Sequence, residues 1–141
     1  MRNVATTLRV RTSGSGLLEI TGEVRAWLGS QTVTTGLLTL FCRHTSASLL
    51  IQENAARAVR RDLEKYFAAL APEESGRYEH NDEGADDMPA HLRTALTGVQ
   101  LSIPVVEGAL SLGTWQGIYL FEHRRGSHER EVVLHLIGDQ S

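Results

Sequence analysis

Residues 36–51 read GLLTLFCRHTSASLLI, which is two apolar stretches separated by four polar residues. The stretches, Gly36 to Cys42 and Ala47 to Ile51, are apolar at nearly every position instead of at every second one. Such runs are typical of strands that are covered on both faces or that lie at a subunit contact. The polar residues between them therefore interrupt two buried strands; they are Arg43, His44, Thr45 and Ser46.

The rest of the chain also favours strands over helices. Further strands are predicted at Val4–Val10, Leu17–Ile20, Val99–Val106, Ala109–Leu112, Gly117–His123 and Glu131–Ile137. Helices are predicted at 21–28, at 55–70 with Asn54 as N-cap, and shortly after a second N-cap, Asp87. The strands follow one another through short glycine-containing turns, without strand-helix-strand alternation. We therefore expect an α+β fold, with antiparallel sheets packed as a sandwich and about three short-to-medium helices outside.

Length and composition indicate one folded domain over residues 1–141. The hydrophobic fraction is 41% and the charged fraction 22%, as in ordinary globular proteins. Fourteen Lys and Arg against seventeen Asp and Glu leave a net charge of −3. Because there is no basic excess, neither nucleic acid nor an acidic membrane surface is expected as a partner.

The single cysteine and the N-terminal residues bear on location. Cys42 alone excludes an intrachain disulfide and a multi-cysteine zinc site, and it favours a reducing compartment. Residues 1–11 carry charges and threonines instead of an apolar run, and no stretch reaches the ~18 apolar residues of a membrane span. We expect a cytoplasmic protein.

Two polar segments could carry chemistry. His44 among three hydroxyls offers an acid or base beside donors for a phosphate, although such hydroxyls can also bond their own backbone. Residues 79–87 hold five carboxylates with no lysine or arginine; His80 lies among them and His91 follows shortly after. Such a cluster is either a solvated acidic loop or a cation site.

A third candidate region is the strand 117–123. Alternation places Glu122 and His123 on opposite faces, so one of the two is expected to point inward. An acid at the end of an apolar strand either reaches solvent, which is the commoner outcome, or orients a histidine or a cation. Trp115 is expected to pack against the core, and residues 124–130 are expected to form an exposed hairpin tip.

Four segments together resemble one family. They are HTSASL at 44–49, YEH at 78–80 with EGADDMPAH at 83–91, SIPV at 102–105, and GTWQG at 113–117 with EHR at 122–124. Their order and spacing resemble the YjbQ-like family, also known as secondary thiamine-phosphate synthases, over essentially the whole chain. The resemblance implies a homotrimer of β-rich subunits that joins a pyrimidine diphosphate to a thiazole phosphate and releases diphosphate.

The resemblance also implies roles for individual residues. The catalytic set would be His44, Asp87 and Glu122. The small phosphorylated substrate would be bound by Thr45, Ser46, Asn54, Trp115 and Gln116. The composition adds Arg43 or Arg124 as the cation for its phosphate. Ala56 departs from the family pattern, in which an acid often follows Asn-Ala, and this puts the role of Asn54 in doubt.

The cofactor depends on which side chains form the metal site. Oxygen ligands from Glu83, Asp86 and Asp87 would favour Mg²⁺. Three imidazoles would instead favour Zn²⁺ with an open position for water, and we favour this set: His80, His91 and His123. The sequence leaves open a synthase, a zinc-dependent hydrolase of a small phosphorylated or cyclic substrate, and a non-catalytic trimeric ligand-binding module.

Overall fold

The computed structural model describes residues 1–140; Ser141, the last residue of the expected domain, lies outside the described residues. The elements in chain order are β1 (Arg2–Ser13), β2 (Gly16–Glu19), α1 (Thr21–Gly29), β3 (Thr35–Cys42), β4 (Ala47–Glu53), α2 (Arg57–Leu70), α3 (Asp87–Thr97), β5 (Gln100–Val106), β6 (Ala109–Leu110), β7 (Gln116–Glu122) and β8 (Ser127–Asp139). No helix within residues 1–140 is both long and apolar enough to cross a membrane.

The strands form two antiparallel sheets, which confirms the expected α+β fold. Sheet A has the order β1-β8-β3-β5-β6, and sheet B has the order β2-β7-β4. Strands β3 and β4 therefore belong to different sheets. The chain crosses from one sheet to the other through the polar residues 43–46, which places this segment at the edge of the core.

The hydrophobic core lies between the two sheets. Leu38 and Leu40 of β3 and Leu120 of β7 are fully buried there. The other face of sheet B is covered by helices, since Phe67 of α2 packs edge-on against Phe121 with ring centroids 5.6 Å apart. Strand β7 is thus buried on both faces, which explains its unbroken apolar sequence.

The predicted helix caps are wrong. Neither α2 nor α3 has a side-chain cap, and their N-cap residues are Ala56 and Asp86. The Asn54 amide donates instead to the Glu19 carboxylate at 3.0 Å. The Asp87 carboxylate faces two histidines and an arginine. Contacts with other parts of the fold therefore replace the helix-capping role that the sequence predicted for Asn54 and Asp87.

Candidate functional site

Three side chains at the start of α3 form a group that could hold a metal ion. One donor atom each from His80, Asp87 and His91 lies within 4.8 Å of the others. The Nε2 atoms of His80 and His91 are 2.9 Å and 3.1 Å from Asp87 Oδ2. Asp87 and His91 are one helical turn apart, so α3 itself fixes two of the three donors on one face.

A backbone contact fixes the orientation of His91. Its Nδ1 lies 3.0 Å from the carbonyl oxygen of Thr45. Because a carbonyl only accepts, Nδ1 carries the proton and donates, while Nε2 faces Asp87. Metal-binding histidines are held in this way, with the second ring nitrogen bonded to a carbonyl or a carboxylate.

Arg124 donates hydrogen bonds to the two carboxylates at the start of α3, Asp86 and Asp87. Its Nη1 donates to Asp87 Oδ1 at 3.0 Å, and its Nε donates to Asp86 Oδ2 at 3.1 Å. Burial by itself raises the pKa of Asp87, but the hydrogen bond from His80 and the charges of His91 and Arg124 outweigh it and leave the pKa below its ordinary value. Asp87 is therefore an anion, as a ligand must be, whereas Asp86 is engaged by Arg124 and by the Arg125 amide.

His123 is not part of this group, so the expected three-histidine set is corrected to two histidines and Asp87. Its Nε2 lies 2.9 Å from Ser48 Oγ, and its Nδ1 has no hydrogen-bond partner among residues 1–140. Burial, followed by the charge of Arg93, lowers the pKa of His123 to about 3. The helices over sheet B enclose this ring, and it is neutral.

Of the acid and base roles expected for His44, its contacts disfavour that of a base. The Glu131 amide donates to His44 Nε2 at 2.8 Å, so the proton of the neutral ring is on Nδ1. Burial, then the nearby Arg130 charge, lowers the pKa of His44 and disfavours a second proton. With Nε2 occupied, the ring has no free basic nitrogen.

Glu122 and Arg130 form a buried ion pair. Only 1% of Glu122 and 5% of Arg130 is exposed. Arg130 Nε donates to Glu122 Oε1 at 2.7 Å, and the Thr12 hydroxyl donates to the same oxygen at 2.6 Å. Because these donors engage the carboxylate fully, the contacts of Glu122 fit a structural role in place of the expected catalytic one.

Arg130 is the site residue that sequence reasoning missed. The expected exposed tip at 124–130 is wrong at its C-terminal end, because β8 begins at Ser127. The sequence did indicate its burial, because every second residue of this strand points inward, and Arg130 lies in phase with the buried Val132 and Leu134. The expectation that only one of Glu122 and His123 points inward is also wrong, since both faces of β7 are covered.

An open hollow of about 780 Å³ lies beside the group of His80, Asp87 and His91. Its wall contains His91 itself and Thr94 from α3. The rest of the wall comes from the crossing segment and the neighbouring strand ends: Phe41, Cys42, Arg43, His44, Thr45, Ala95, Gly98 and Val99. Burial raises the pKa of the Cys42 thiol to about 11, so this cysteine is an unreactive apolar residue.

Three of the expected substrate-binding residues lie far from this hollow. β4 and β7 pair Ala47 with Glu122 at one end and Glu53 with Gln116 at the other. Six residues of strand, at about 3.3 Å each, separate the two ends by about 20 Å. Asn54, Trp115 and Gln116 lie at the far end of these strands, so one subunit does not bring them to His80, Asp87 and His91.

Trp115 is 62% exposed, so the expected packing role is wrong as well. Ser46 is buried, and its hydroxyl accepts from Arg130.

Buried His123 predicts acid sensitivity. The unfolded chain binds a proton at this ring below about pH 6.5, whereas the folded protein leaves it neutral down to about pH 3. The unfolded state therefore binds more protons in that window, and stability falls as the pH falls. Between pH 7 and pH 5 the loss should be about 2 kcal/mol.

Urea unfolding of wild type and His123→Gln at both pH values measures this effect. The Gln variant should lose about 2 kcal/mol less than wild type over the interval, because it has no proton to take up. The lowered pKa of His44 acts in the same direction and the raised pKa of His80 in the opposite one, and both are common to the two proteins. The control is the half-exposed His135, changed to Gln. Equal pH slopes for wild type and His123→Gln would refute the assignment.

The fold and this site define a class of protein: two packed antiparallel sheets carrying a group of two histidines and one aspartate at a helix N-terminus. The family model described as UPF0047 protein YjbQ-like matches residues 6–139. The chain therefore belongs to the YjbQ-like, or UPF0047, family.

Individual relatives agree with this assignment. UPF0047 protein sll1880 of Synechocystis is 51% identical over 132 residues, covering 94% of this chain and 90% of the relative. UPF0047 protein YjbQ of Escherichia coli O157:H7 is 41% identical, covering 94% and 96%. The crystal structure of the conserved hypothetical protein TT1486 from Thermus thermophilus superimposes with a TM-score of 0.83 at 39% identity, covering 94% of this chain and 99% of that one.

Proposed function

We propose that this protein is a zinc-dependent enzyme that hydrolyses a small phosphorylated or cyclic substrate. The observation that carries the proposal is the group of His80, Asp87 and His91, with donor atoms within 4.8 Å. Two imidazoles and one carboxylate are the ligand set of many catalytic zinc sites, which keep one position open. Cytoplasmic Mg²⁺ sites use oxygen ligands almost alone, so the two imidazoles favour zinc.

The contacts of the group support a ligand role. His80 and His91 both direct Nε2 to the same oxygen of Asp87, and Thr45 holds the far side of His91. Arg124 takes the other Asp87 oxygen and fixes the carboxylate plane. When bound there, Zn²⁺ would act as a Lewis acid and activate a water molecule.

The adjoining hollow supports substrate binding beside the metal group. Arg43 and the Thr45 hydroxyl lie in its wall and suit a phosphate. Thr94 lies there too, and its buried Oγ1 has no hydrogen-bond partner among residues 1–140. By contrast, Thr97 on the same helix donates to the Arg93 carbonyl at 2.8 Å. An unpaired buried hydroxyl is costly, so the wall of the hollow contains one unsatisfied polar group.

Thiamine-phosphate synthesis is a second candidate function. The hollow favours it because Phe41, Ala95 and Val99 offer an apolar wall to a flat ring. A metal ion held by Asp87 and its neighbours would bind the departing diphosphate.

The two reactions can be tested side by side. We expect wild type with Zn²⁺ to hydrolyse p-nitrophenyl phosphate or a 2′,3′-cyclic nucleotide, and Asp87→Asn to lose at least about 100-fold in kcat/KM. Thiamine phosphate formation from the pyrimidine diphosphate and the thiazole phosphate is assayed with Zn²⁺ and with Mg²⁺. Synthesis without hydrolysis would replace the first candidate by the second. Ligand binding with neither reaction would leave the non-catalytic module.

We propose, further, that the outer face of sheet A binds other copies of this chain, as in the expected homotrimer. Leu37, Phe41 and Ile137 point outward from the middle of this sheet and are 41%, 47% and 37% exposed. Arg9 pairs with Glu131 at the margin of the patch, so the face offers both charges to a copy of itself. The buried free thiol of Cys42 supports a reducing, cytoplasmic location.

Introducing a charge on this face should separate the subunits. We expect Phe41→Asp to convert a wild-type trimer to monomer in light scattering, because an unpaired carboxylate would be buried at the contact. Tyr66→Asp is the matched control, since Tyr66 is 60% exposed on α2 and should leave the mass unchanged. A wild-type monomer at micromolar concentration, or an unchanged mass for Phe41→Asp, would contradict the proposal.

A further inference from the structure

The two candidate ligands on α3 are each held by a loop, and one buried ion pair anchors both loops. We propose that Glu122 and Arg130 are positioning residues that set the orientation of His91 and Asp87 without touching metal or substrate. This inference rests on the proposed metal site, and it assigns a role to two residues more than nine-tenths buried.

Arg130 anchors the loop that holds His91. Its Nη2 donates to the Ser46 carbonyl oxygen at 3.3 Å and to Ser46 Oγ at 3.1 Å. Ser46 follows Thr45, whose carbonyl oxygen accepts the hydrogen bond from His91 Nδ1. The Thr45 carbonyl carbon is bonded directly to the Ser46 nitrogen. Arg130 therefore binds the residue next to the oxygen that orients His91.

Glu122 anchors the turn that holds Asp87. Its Oε2 accepts a hydrogen bond from the Arg124 amide at 3.1 Å. The Arg124 side chain then donates to Asp87 Oδ1 at 3.0 Å and to the Glu83 carbonyl oxygen at 2.9 Å. Glu122 therefore fixes the backbone from which the guanidinium reaches the ligand.

The pair itself leaves little freedom for movement. Glu122 accepts from Arg130, from Thr12 and from the Arg124 amide, and Arg130 binds Glu122 and Ser46. Burial raises the pKa of Glu122, but the hydrogen bonds from Arg130 and Thr12 outweigh burial and keep the pKa below its ordinary value. A charged and fully hydrogen-bonded pair in the core restricts movement of the residues it binds. This pair connects β1, β7 and β8 with the loop that contains Ser46 and the turn that contains Arg124.

The test is the zinc affinity of a variant in which the pair is removed but the fold is kept. Replacing both members with uncharged side chains of similar size, Glu122→Gln with Arg130→Met, avoids a lone buried charge, and such replacements commonly preserve folding. We expect Zn²⁺ to bind about 10- to 100-fold more weakly, as measured by competition with a chromogenic chelator. Circular dichroism checks that the variant remains folded.

A matched control makes the same charge change on the surface. Arg11 and Glu129 are paired at 3.8 Å with side chains 74% and 51% exposed. Arg11→Met with Glu129→Gln should leave zinc affinity within about twofold of wild type. Equal losses in both double variants would show that the effect does not depend on the buried position of the pair, and would overturn the positioning role.

The remaining outcomes separate the inference from the proposed function. A folded double variant that binds zinc as tightly as wild type overturns the positioning role and leaves the metal site standing. Wild type that binds no zinc overturns the metal site and the inference with it. If the double variant does not fold, Arg130→Lys retains the charge but cannot span Glu122 and Ser46 together. Wild-type affinity in that variant would also reject the inference.

Discussion

Replacing Arg130 with alanine should lower the free energy of unfolding by about 3–5 kcal/mol, the largest stability loss we expect from a single charged residue. The substitution leaves the Glu122 carboxylate buried without its guanidinium, since only the Thr12 hydroxyl and the Arg124 amide still donate to it. It also frees Ser46, whose carbonyl oxygen and hydroxyl both accept from Arg130. Urea unfolding followed by circular dichroism measures the loss.

Arg11→Ala is the control for this prediction. Arg11 lies on β1 and pairs with Glu129 on β8, but its side chain is 74% exposed. Because water screens such a pair, its removal should cost no more than about 1 kcal/mol. A loss below about 1 kcal/mol for Arg130→Ala would mean that the buried pair does not stabilise the protein as its contacts indicate.

Replacing Asp87 with asparagine should weaken zinc binding by at least about 100-fold. The substitution keeps the size of the side chain but removes the charge that faces both imidazoles and Arg124. Its effect should exceed the 10- to 100-fold range of residues that only orient ligands, because a ligand itself is lost. Isothermal titration with Zn²⁺ gives the affinity and the stoichiometry.

Asp82→Asn tests whether zinc binding depends on Asp87 itself or on the negative charge of the whole loop. Asp82 lies 3.5 Å from His80 Nδ1 and its side chain is 82% exposed, so its removal should change zinc affinity by less than about threefold. If both substitutions weaken binding equally, the acidic loop attracts cations diffusely and Asp87 is no specific ligand.

The strands were predictable because short apolar runs are typical of strands. Their burial was predicted less well, since Leu37 and Phe41 of β3 are exposed on the outer face of sheet A within one subunit. Residues 36–42 and 47–51 are strands as expected, and the unbroken apolar run in β7 reflects cover by sheet A on one face and by helices on the other. The caps were not predictable, since Glu19 and Arg124, which are distant in sequence, bind the side chains of Asn54 and Asp87. Helix propensity and capping patterns depend on neighbouring residues in the sequence, so they do not predict partners of this kind.

The candidate site was predictable in part for the same reason. His80, Asp87 and His91 lie within twelve residues of one another in sequence, and helical spacing fixes two of them. His123 was assigned to the metal by type alone, and only the structure shows that its Nε2 contacts Ser48, which in turn accepts a hydrogen bond from Thr97 of α3. Arg130 was hidden because a charged residue in a charged segment resembles a surface loop, although its strand alternation points inward.

The most direct test of the proposed metal centre is a crystal structure of wild type grown with Zn²⁺, with diffraction recorded on both sides of the zinc absorption edge. We predict one anomalous peak per subunit about 2.0–2.2 Å from His80 Nε2, His91 Nε2 and an Asp87 carboxylate oxygen. A peak elsewhere on the chain, or no peak at saturating zinc, would contradict the account.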